Sequence, residues 1–332
     1  MNRQNFLVTG GAGFIGSHLV DALLEAGHTV TVLDDLSVGK RQNFAHHLNH
    51  PNFRFVKGSI LDKGLVTQLV GEVDGIYHLA AVVGVKYVVE NPLHGIQVNV
   101  KGTETILEAA CERGCKVVLA SSSETYGKSA WVPFAEDDVT VIGPTSVPRW
   151  SYAISKLLDE HLAFAYHRQE GLPAAAVRYF NVYGPRLDPR GYGSVIARFI
   201  NQALDGKALT VYGNGQQTRS FTFVADTVRG TIAAMETPES AGQAFNIGNP
   251  YEVTMNELAE QIRESVGADV DIVYVPYAQA YGAAFEDTPR RLPNVARATK
   301  VLGFQATTSL EEGLHQTIEW FKEHRDAEFN RA

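Results

Sequence analysis

The chain has 332 residues, enough for about two domains and for a full core without disulfide or metal staples. With 45% hydrophobic and 20% charged residues it is globular rather than disordered. Its 29 basic against 37 acidic residues give a net charge of −8 with no lysine/arginine block, which excludes a general nucleic-acid or anionic-membrane surface but not one local basic pocket.

The first half alternates short β-branched runs with amphipathic helical stretches. Strands are predicted over 5–9, 29–33, 53–57, 75–79, 116–121 and 174–178, with helices over 13–26, 63–70, 91–113 and 152–169 between them. Such alternation builds an α/β fold, a doubly wound parallel sheet covered on both faces. In the less regular second half, strands near 210–212 and 244–247 mix with helices near 194–205, 224–236, 255–266 and 310–322, which reads as a smaller C-terminal α/β lobe. Cys111 and Cys115 close a helical pattern as two semi-buried thiols; no disulfide scaffold and no metal are expected. The chain runs directly into strand Phe6-Leu7-Val8 without a signal peptide, and its longest apolar run, 75–85, is broken by His78 and too short for a bilayer. A cytoplasmic protein with no membrane partner is expected.

The first strand runs into Gly10-Gly11-Ala12-Gly13-Phe14-Ile15-Gly16, followed by a helix. Gly10 permits a sharp turn, Gly13 lets a pyrophosphate approach the backbone at the helix N-terminus, and Gly16 lets the helix lie close to the sheet. A glycine turn alone says little, but the second strand ends at Asp34, 18 residues after Gly16. A carboxylate there accepts hydrogen bonds from adenosine ribose hydroxyls and repels a 2′-phosphate, and Asp35 rather than an arginine follows. The pattern favours NAD over NADP; a glycine turn without a ligand is the alternative.

Tyr152 and Lys156 form Tyr-x-x-x-Lys on one face of a predicted helix. A cation beside a phenol stabilises the phenolate, so Tyr152 is a candidate base for a sugar hydroxyl, although the same spacing also occurs on ordinary helix surfaces. Ser121-Ser122-Ser123-Glu124-Thr125-Tyr126 leaves a strand at its C-terminal end, where doubly wound sheets place their ligands; a solvated turn is the bland alternative.

With Leu79-Ala80-Ala81 and Arg178-Tyr179-Phe180-Asn181-Val182-Tyr183-Gly184-Pro185-Arg186, these motifs together resemble the extended short-chain dehydrogenase/reductases, over nearly the whole chain. The resemblance implies a Rossmann-type NAD-binding domain over 1–180 with a returning segment about 218–248, and a nucleotide-sugar lobe over 181–217 and 249–332. It implies NAD contacts from Gly10, Gly13, Phe14, Ile15, Asp34, Leu36, Ser37, Gly39, Ser59, Ile60, Leu79, Ala80, Ala81, Asn99, Tyr152, Lys156, Tyr179 and Val182. Contacts to a UDP-sugar are implied for Tyr87, Asn181, Val195, Tyr212, Gln217, Arg219 and Arg291, with Arg219 on the diphosphate. Ser122 matches a hydroxyl that binds the sugar 4-hydroxyl. Ser59 departs from the family, where an adenine-binding aspartate is usual. A homodimer joined by the 91–113 and 152–169 helices is also implied.

The reactions of this family begin alike: Tyr152 takes the 4-hydroxyl proton as C4 is oxidised, and neighbouring groups decide the outcome. A 4,6-dehydratase carries Asp-Glu where this chain has Ser123-Glu124, and a simple 4-epimerase needs no carboxylate there. Ser123-Glu124 and the late segment 285–294, with Arg291, resemble the UDP-glucuronate decarboxylases, as does Pro148-Arg149-Trp150-Ser151-Tyr152. Loss of CO₂ from a 4-keto uronate leaves an enolate. Arg291 is the candidate to orient the carboxylate and assist protonation, and Glu124 to repel it out of the sugar plane, with UDP-xylose or the 4-keto pentose as product. Tyr87 is a candidate carboxylate contact. Other readings are an ion pair of Arg291 with Glu286 or Asp287, a structural Glu124, a 4-epimerase, and a silent NAD-binding regulator.

Overall fold

A computed structural model describes residues 3–84, 90–188, 194–276, 279 and 290–329 of the chain. Strand β1 (Asn5–Thr9) is buried beyond its first residue, as a continuous apolar run in a central parallel strand must be. It lies between β2 (Thr29–Asp34) and β4 (Gly75–His78), parallel to both. Strand β3 (Phe53–Lys57) extends one side, and β5 (Lys116–Ser122), β6 (Ala174–Tyr179) and β11 (Ala244–Ile247) the other. The resulting order is β11-β6-β5-β4-β1-β2-β3, with every pairing parallel. The chain winds outward from β1 to β3 and restarts on the other side of β1 at β4. This reversal opens a crevice at the C-terminal ends of β1 and β4, the usual ligand position in such sheets.

The two-residue period of the strands sorts their side chains to opposite faces. Leu7, Ile76 and Leu119 pack beneath α2 (Lys63–Val70), α4 (Gly102–Arg113) and α5 (Trp150–Glu170), whose Val66, Leu69, Ile106, Leu107 and Ala163 join the same cluster. Val8, Tyr77 and Val118 meet Leu19 and Leu23 of α1 (Phe14–Glu25), Val228 of α7 (Val224–Glu236) and Ala298 of α9 (Ala296–Leu302). The helix expected over 91–113 consists of α3 (Pro92–Ile96), a π-helical turn over Gln97–Lys101, and α4.

A third core joins Ile196, Phe199 and Ile200 of α6 (Val195–Leu204), Leu258 and Ile262 of α8 (Met255–Val266), and Leu314, Ile318 and Phe321 of α10 (Leu310–Phe329). Here β8 (Leu209–Tyr212) pairs with β13 (Ile272–Val275), and β7 (Val182–Tyr183) with β10 (Thr222–Phe223). Strand β9 (Thr218–Ser220) lies between β12 (Glu252–Thr254) and β14 (Arg290–Arg291). The sequence reading omitted β7, β9, β10, β12, β13, β14 and α9 and ended the last helix seven residues early. The omitted strands have at most four residues and little alternation to detect. Cys111 and Cys115 are free, and burial pushes the Cys115 thiol up to about 11. Among the described residues no helix is long and apolar enough to cross a membrane.

Candidate active site

The chain leaves β1 through Gly10, whose φ is +71° and whose N–H donates to the Leu33 carbonyl at 3.0 Å. A Cβ on Gly10 would lie 2.7 Å from the Ala80 nitrogen, and one on Gly16 would lie 2.2 Å from the Gly10 carbonyl oxygen. Only glycine therefore lets the turn sit against both the β4 exit and α1. Helix α1 begins at Phe14 and Ile15, so its unpaired first-turn N–H groups belong to the crevice.

Asp34, at the end of β2, accepts from the Leu36 N–H at 2.8 Å and the Ala12 N–H at 3.0 Å, one on each carboxylate oxygen. Both oxygens keep acceptor capacity for ribose hydroxyls. Burial raises the Asp34 pKa against these two backbone bonds. Leu36 has φ +65°, the Ser37 N–H donates to Asp35 at 2.9 Å, and a Cβ on Gly39 would press on Asp34 at 2.8 Å. Ser59 turns its hydroxyl to the Leu61 N–H at 3.2 Å, and Ile60 is buried against Gly102. The exit of β4, Leu79-Ala80-Ala81, is half-buried, and Asn99 of the π-helical turn braces the segment behind it, accepting from the Val82 N–H at 2.7 Å and donating to Ser155 at 3.0 Å. Tyr179 commits its hydroxyl to Thr231 at 2.8 Å, and Val182 is half-buried in β7. The glycine turn, the open helix terminus and Asp34 fit NAD.

Strand β5 delivers Ser122 to α5, where its hydroxyl faces the Tyr152 phenol closely enough to lower its pKa and accepts from the Glu124 N–H at 3.2 Å. Ser123 is buried in the following 3-10 turn. Helix α5 is pinned to the sheet by Glu160, which takes Arg178 Nε at 2.9 Å and Nη2 at 2.6 Å and also accepts the Ser121 hydroxyl. Lys156 shares the helix face with Tyr152, but its Nζ is 3.2 Å from Asp159 Oδ2. Burial pushes the phenol well above its ordinary value, the Ser122 hydroxyl opposes this, and the anions Glu124 and Asp159 add to the rise.

Glu124 lies between two guanidinium groups, Arg291 Nη1 at 2.7 Å and Arg149 Nη2 at 3.4 Å. Burial alone would raise its pKa, but Arg291 and Arg149 outweigh burial and hold the carboxyl below its usual range. Arg291 reaches Glu124 across 167 residues because its segment is stapled in place. Phe134 exchanges backbone hydrogen bonds with Leu292 and Asn294 at 2.8 Å each, and Asn246 bonds the Phe134 and Asn294 carbonyls at 2.8 and 3.0 Å. Glu286, Asp287 and the candidate Tyr87 lie outside the described residues. Arg149, Asp159 and His78 were not singled out as site residues by the sequence reading. The available signal for Arg149 was an arginine three residues before Tyr152.

In the substrate-side segment, Arg291 and Arg219 are in register on paired strands. Arg219 donates to the Thr218 carbonyl at 2.8 Å, Gln217 to the Tyr212 carbonyl at 2.9 Å, and the Arg198 guanidinium stands 4.0 Å from the Tyr212 ring centroid. Asn181, at φ +36°, donates to the Ser220 carbonyl at 2.8 Å, and Val195 opens α6 under the Ser194 cap.

The profile of the NAD dependent epimerase/dehydratase family matches residues 6–248. The chain is 44% identical over 321 residues to a UDP-N-acetyl-alpha-D-glucosaminuronate decarboxylase of Bacillus cytotoxicus, covering 97% of this chain and 98% of that protein. It is 37% identical over 329 residues to UDP-glucuronic acid decarboxylase 1 of Xenopus tropicalis, covering 99% of this chain and 75% of that protein. A solved UDP-glucuronic acid 4-epimerase from Bacillus cereus, in complex with UDP-glucuronic acid and NAD, superposes with a TM-score of 0.86 at 30% identity over 96% of this chain and 99% of its own. A seven-stranded parallel sheet with a glycine turn at its reversal, Ser122 at the β5 exit with Tyr152 and Lys156 on α5, and these full-length similarities agree: the chain belongs to the NAD dependent epimerase/dehydratase family.

Proposed function

We propose that the protein is an NAD-dependent UDP-glucuronate decarboxylase. The observation that carries this reading is the Glu124 carboxylate, held ionised between Arg291 and Arg149 beside the Ser122–Tyr152 pair. A 4-epimerase needs no carboxylate there, and a silent NAD sensor needs none of Ser122, Tyr152 and Lys156.

NAD, when bound, supplies the two-electron acceptor for C4 of the sugar. Gly10, Gly13 and Asp34 would hold its pyrophosphate and ribose ends. Tyr152 takes the 4-hydroxyl proton while Ser122 orients that hydroxyl. The oxidised sugar is a β-keto acid, whose C5–C6 bond breaks when the carboxylate stands perpendicular to the ketone plane. Arg291 holds the substrate carboxylate, and Glu124 repels it into that alignment. CO₂ leaves with C6, and the electron pair stays on C5 as an enolate, which is protonated to the 4-keto pentose. Arg219 and Asn181 serve the diphosphate side of the substrate, together with Gln217, Tyr212 and Val195.

The reading places NAD on residues 1–180 and the returning segment 218–248, with the nucleotide sugar on 181–217 and 249–332. It includes a homodimer, supported by Leu93, Ile96, Ile154 and Leu158, which stand exposed on α3 and α5. A cytoplasmic setting suits the two free thiols.

The test is incubation with NAD and UDP-glucuronate, and in parallel with its 2-acetamido analogue, followed by chromatography of the nucleotide sugars. A UDP-pentose or UDP-4-keto-pentose supports decarboxylation, and the faster of the two substrates identifies the substituent preferred at C2. UDP-galacturonate alone overturns the reading in favour of 4-epimerisation.

A further inference from the structure

Behind Lys156 lies a buried polar chain that the reaction above does not use. The Ala80 N–H donates to Thr9 Oγ1 at 3.2 Å, and Thr9 Oγ1 is 2.7 Å from His78 Nδ1. His78 Nε2 is 3.1 Å from Thr103 Oγ1, and Thr103 is among the groups that lower the Asp159 pKa against its burial. Burial, aided by the Lys156 charge, lowers the His78 pKa to about 3, so the imidazole is neutral and carries one proton. With the Ala80 N–H already given to Thr9, Thr9 donates to Nδ1 and Nε2–H donates to Thr103, which turns the neutral imidazole toward Asp159. The chain ends on a carboxylate whose only cationic partner among the described residues is Lys156, 3.2 Å away, with the two side chains 0% and 3% exposed. The other carboxylate oxygen, Oδ1, is buried without a hydrogen-bond partner among the described residues.

We propose that Asp159 is a positioning residue of the Tyr152–Lys156 pair: it draws the Lys156 ammonium back along α5 and sets the pH at which Tyr152 works as a base. Lys156 one turn from the phenol would otherwise give its full charge to the phenolate. Asp159 takes up part of that charge and adds its own negative charge near the ring. The charged and titratable groups facing this pair are Glu124 from the β5 exit, with Arg291 and Arg149 on it, Glu160 from α5, and neutral His78 from β4. Of these, only Asp159 touches Lys156. Burial raises the Asp159 pKa, and the Lys156 ammonium 3.2 Å away opposes that rise.

The inference rests on Tyr152 being the base of the proposed reaction, and its test separates the two claims. In the NAD-loaded full chain, the single-turnover rate of sugar oxidation is followed against pH for the wild type, Asp159→Asn and the uncharged Asp159→Leu. The rate rises with pH as Tyr152 ionises. Removing the anion moves this rising limb to lower pH by one unit or more in both variants, with NAD content unchanged. The same shift is read without substrate from ¹³Cζ-tyrosine resonances, with the Tyr152 signal among the 13 tyrosines assigned by its loss in Tyr152→Phe. If the wild type oxidises no UDP-hexuronate, the functional reading fails, and the resonance titration alone decides the role of Asp159. A rising limb and a Tyr152 titration unmoved in whichever variant folds would overturn the proposal.

Discussion

At the residue scale, the proposed decarboxylation turns on Glu124. Two arginines flank it and hold its carboxyl below the usual range, so the proposal assigns its role to charge rather than volume. Glu124→Gln keeps the shape and removes the charge. Sugar oxidation should persist while CO₂ release falls about 100-fold, the scale of one positioned catalytic group. Equal release from both proteins, measured as trapped CO₂, would make Glu124 structural. His78 offers a separate test through stability. Its folded pKa of about 3 lies below the ordinary 6.5, so below pH 6.5 the unfolded chain binds a proton that the folded site refuses. Stability is full above 6.5 and is lost as the pH falls toward 3, by about 1.4 kcal/mol per pH unit. His78→Asn lacks this slope, and the urea-unfolding gap between the two proteins should narrow as the pH drops from 6.5 toward about 4. Parallel curves would show that His78 is protonated in the fold. The Glu124–Arg291 pairing was legible only as two candidate residues, because nothing local in the sequence says that Phe134 and Asn246 will staple residues 292–294 beside the β5 exit.

At the element scale, α5 carries Tyr152 and Lys156, and its placement relies on one buried ion pair. Glu160 and Arg178 are almost wholly enclosed and form two hydrogen bonds. Glu160→Gln would leave the Arg178 charge without its partner, at a cost of about 3 kcal/mol or more, which equilibrium unfolding reads directly. A loss under about 1 kcal/mol would mean that water or Glu136, whose carbonyl already accepts from Arg178, makes up the difference. The helices and strands of the first half were readable to within a residue or two, because β1 is a short apolar run ending at a glycine turn and β3 and α2 carry clear periods between turn residues. The π-helical turn at Gln97–Lys101 was not readable. Its cause is tertiary, the demand that Asn99 meet both Val82 and Ser155.

At the scale of the whole molecule, the proposed homodimer would use the exposed apolar residues of α3 and α5, of which Leu93 is 67% exposed. Leu158→Glu places a charge among them. Light scattering should find a dimer for the wild type and a monomer for the variant, and a monomeric wild type would remove the homodimer from the account. The doubly wound architecture was legible because alternation of strand and helix leaves few other solutions. The interleaved second half was not, since β9, β12 and β14 are short and pair across long separations in sequence. The two halves meet at the candidate site, because Glu124 comes from the first and Arg291 from the last 50 residues.

The central claim is that a ketone at C4 must form before the carboxylate can leave. The direct measurement is labelled CO₂ released by the NAD-loaded protein from UDP-glucuronate carrying ¹³C at C6, compared with the 4-deoxy-4-fluoro analogue carrying the same label. The expected result is one labelled CO₂ per turnover from the first and none from the second. Label retained in UDP-galacturonate, or released from both compounds, would contradict it.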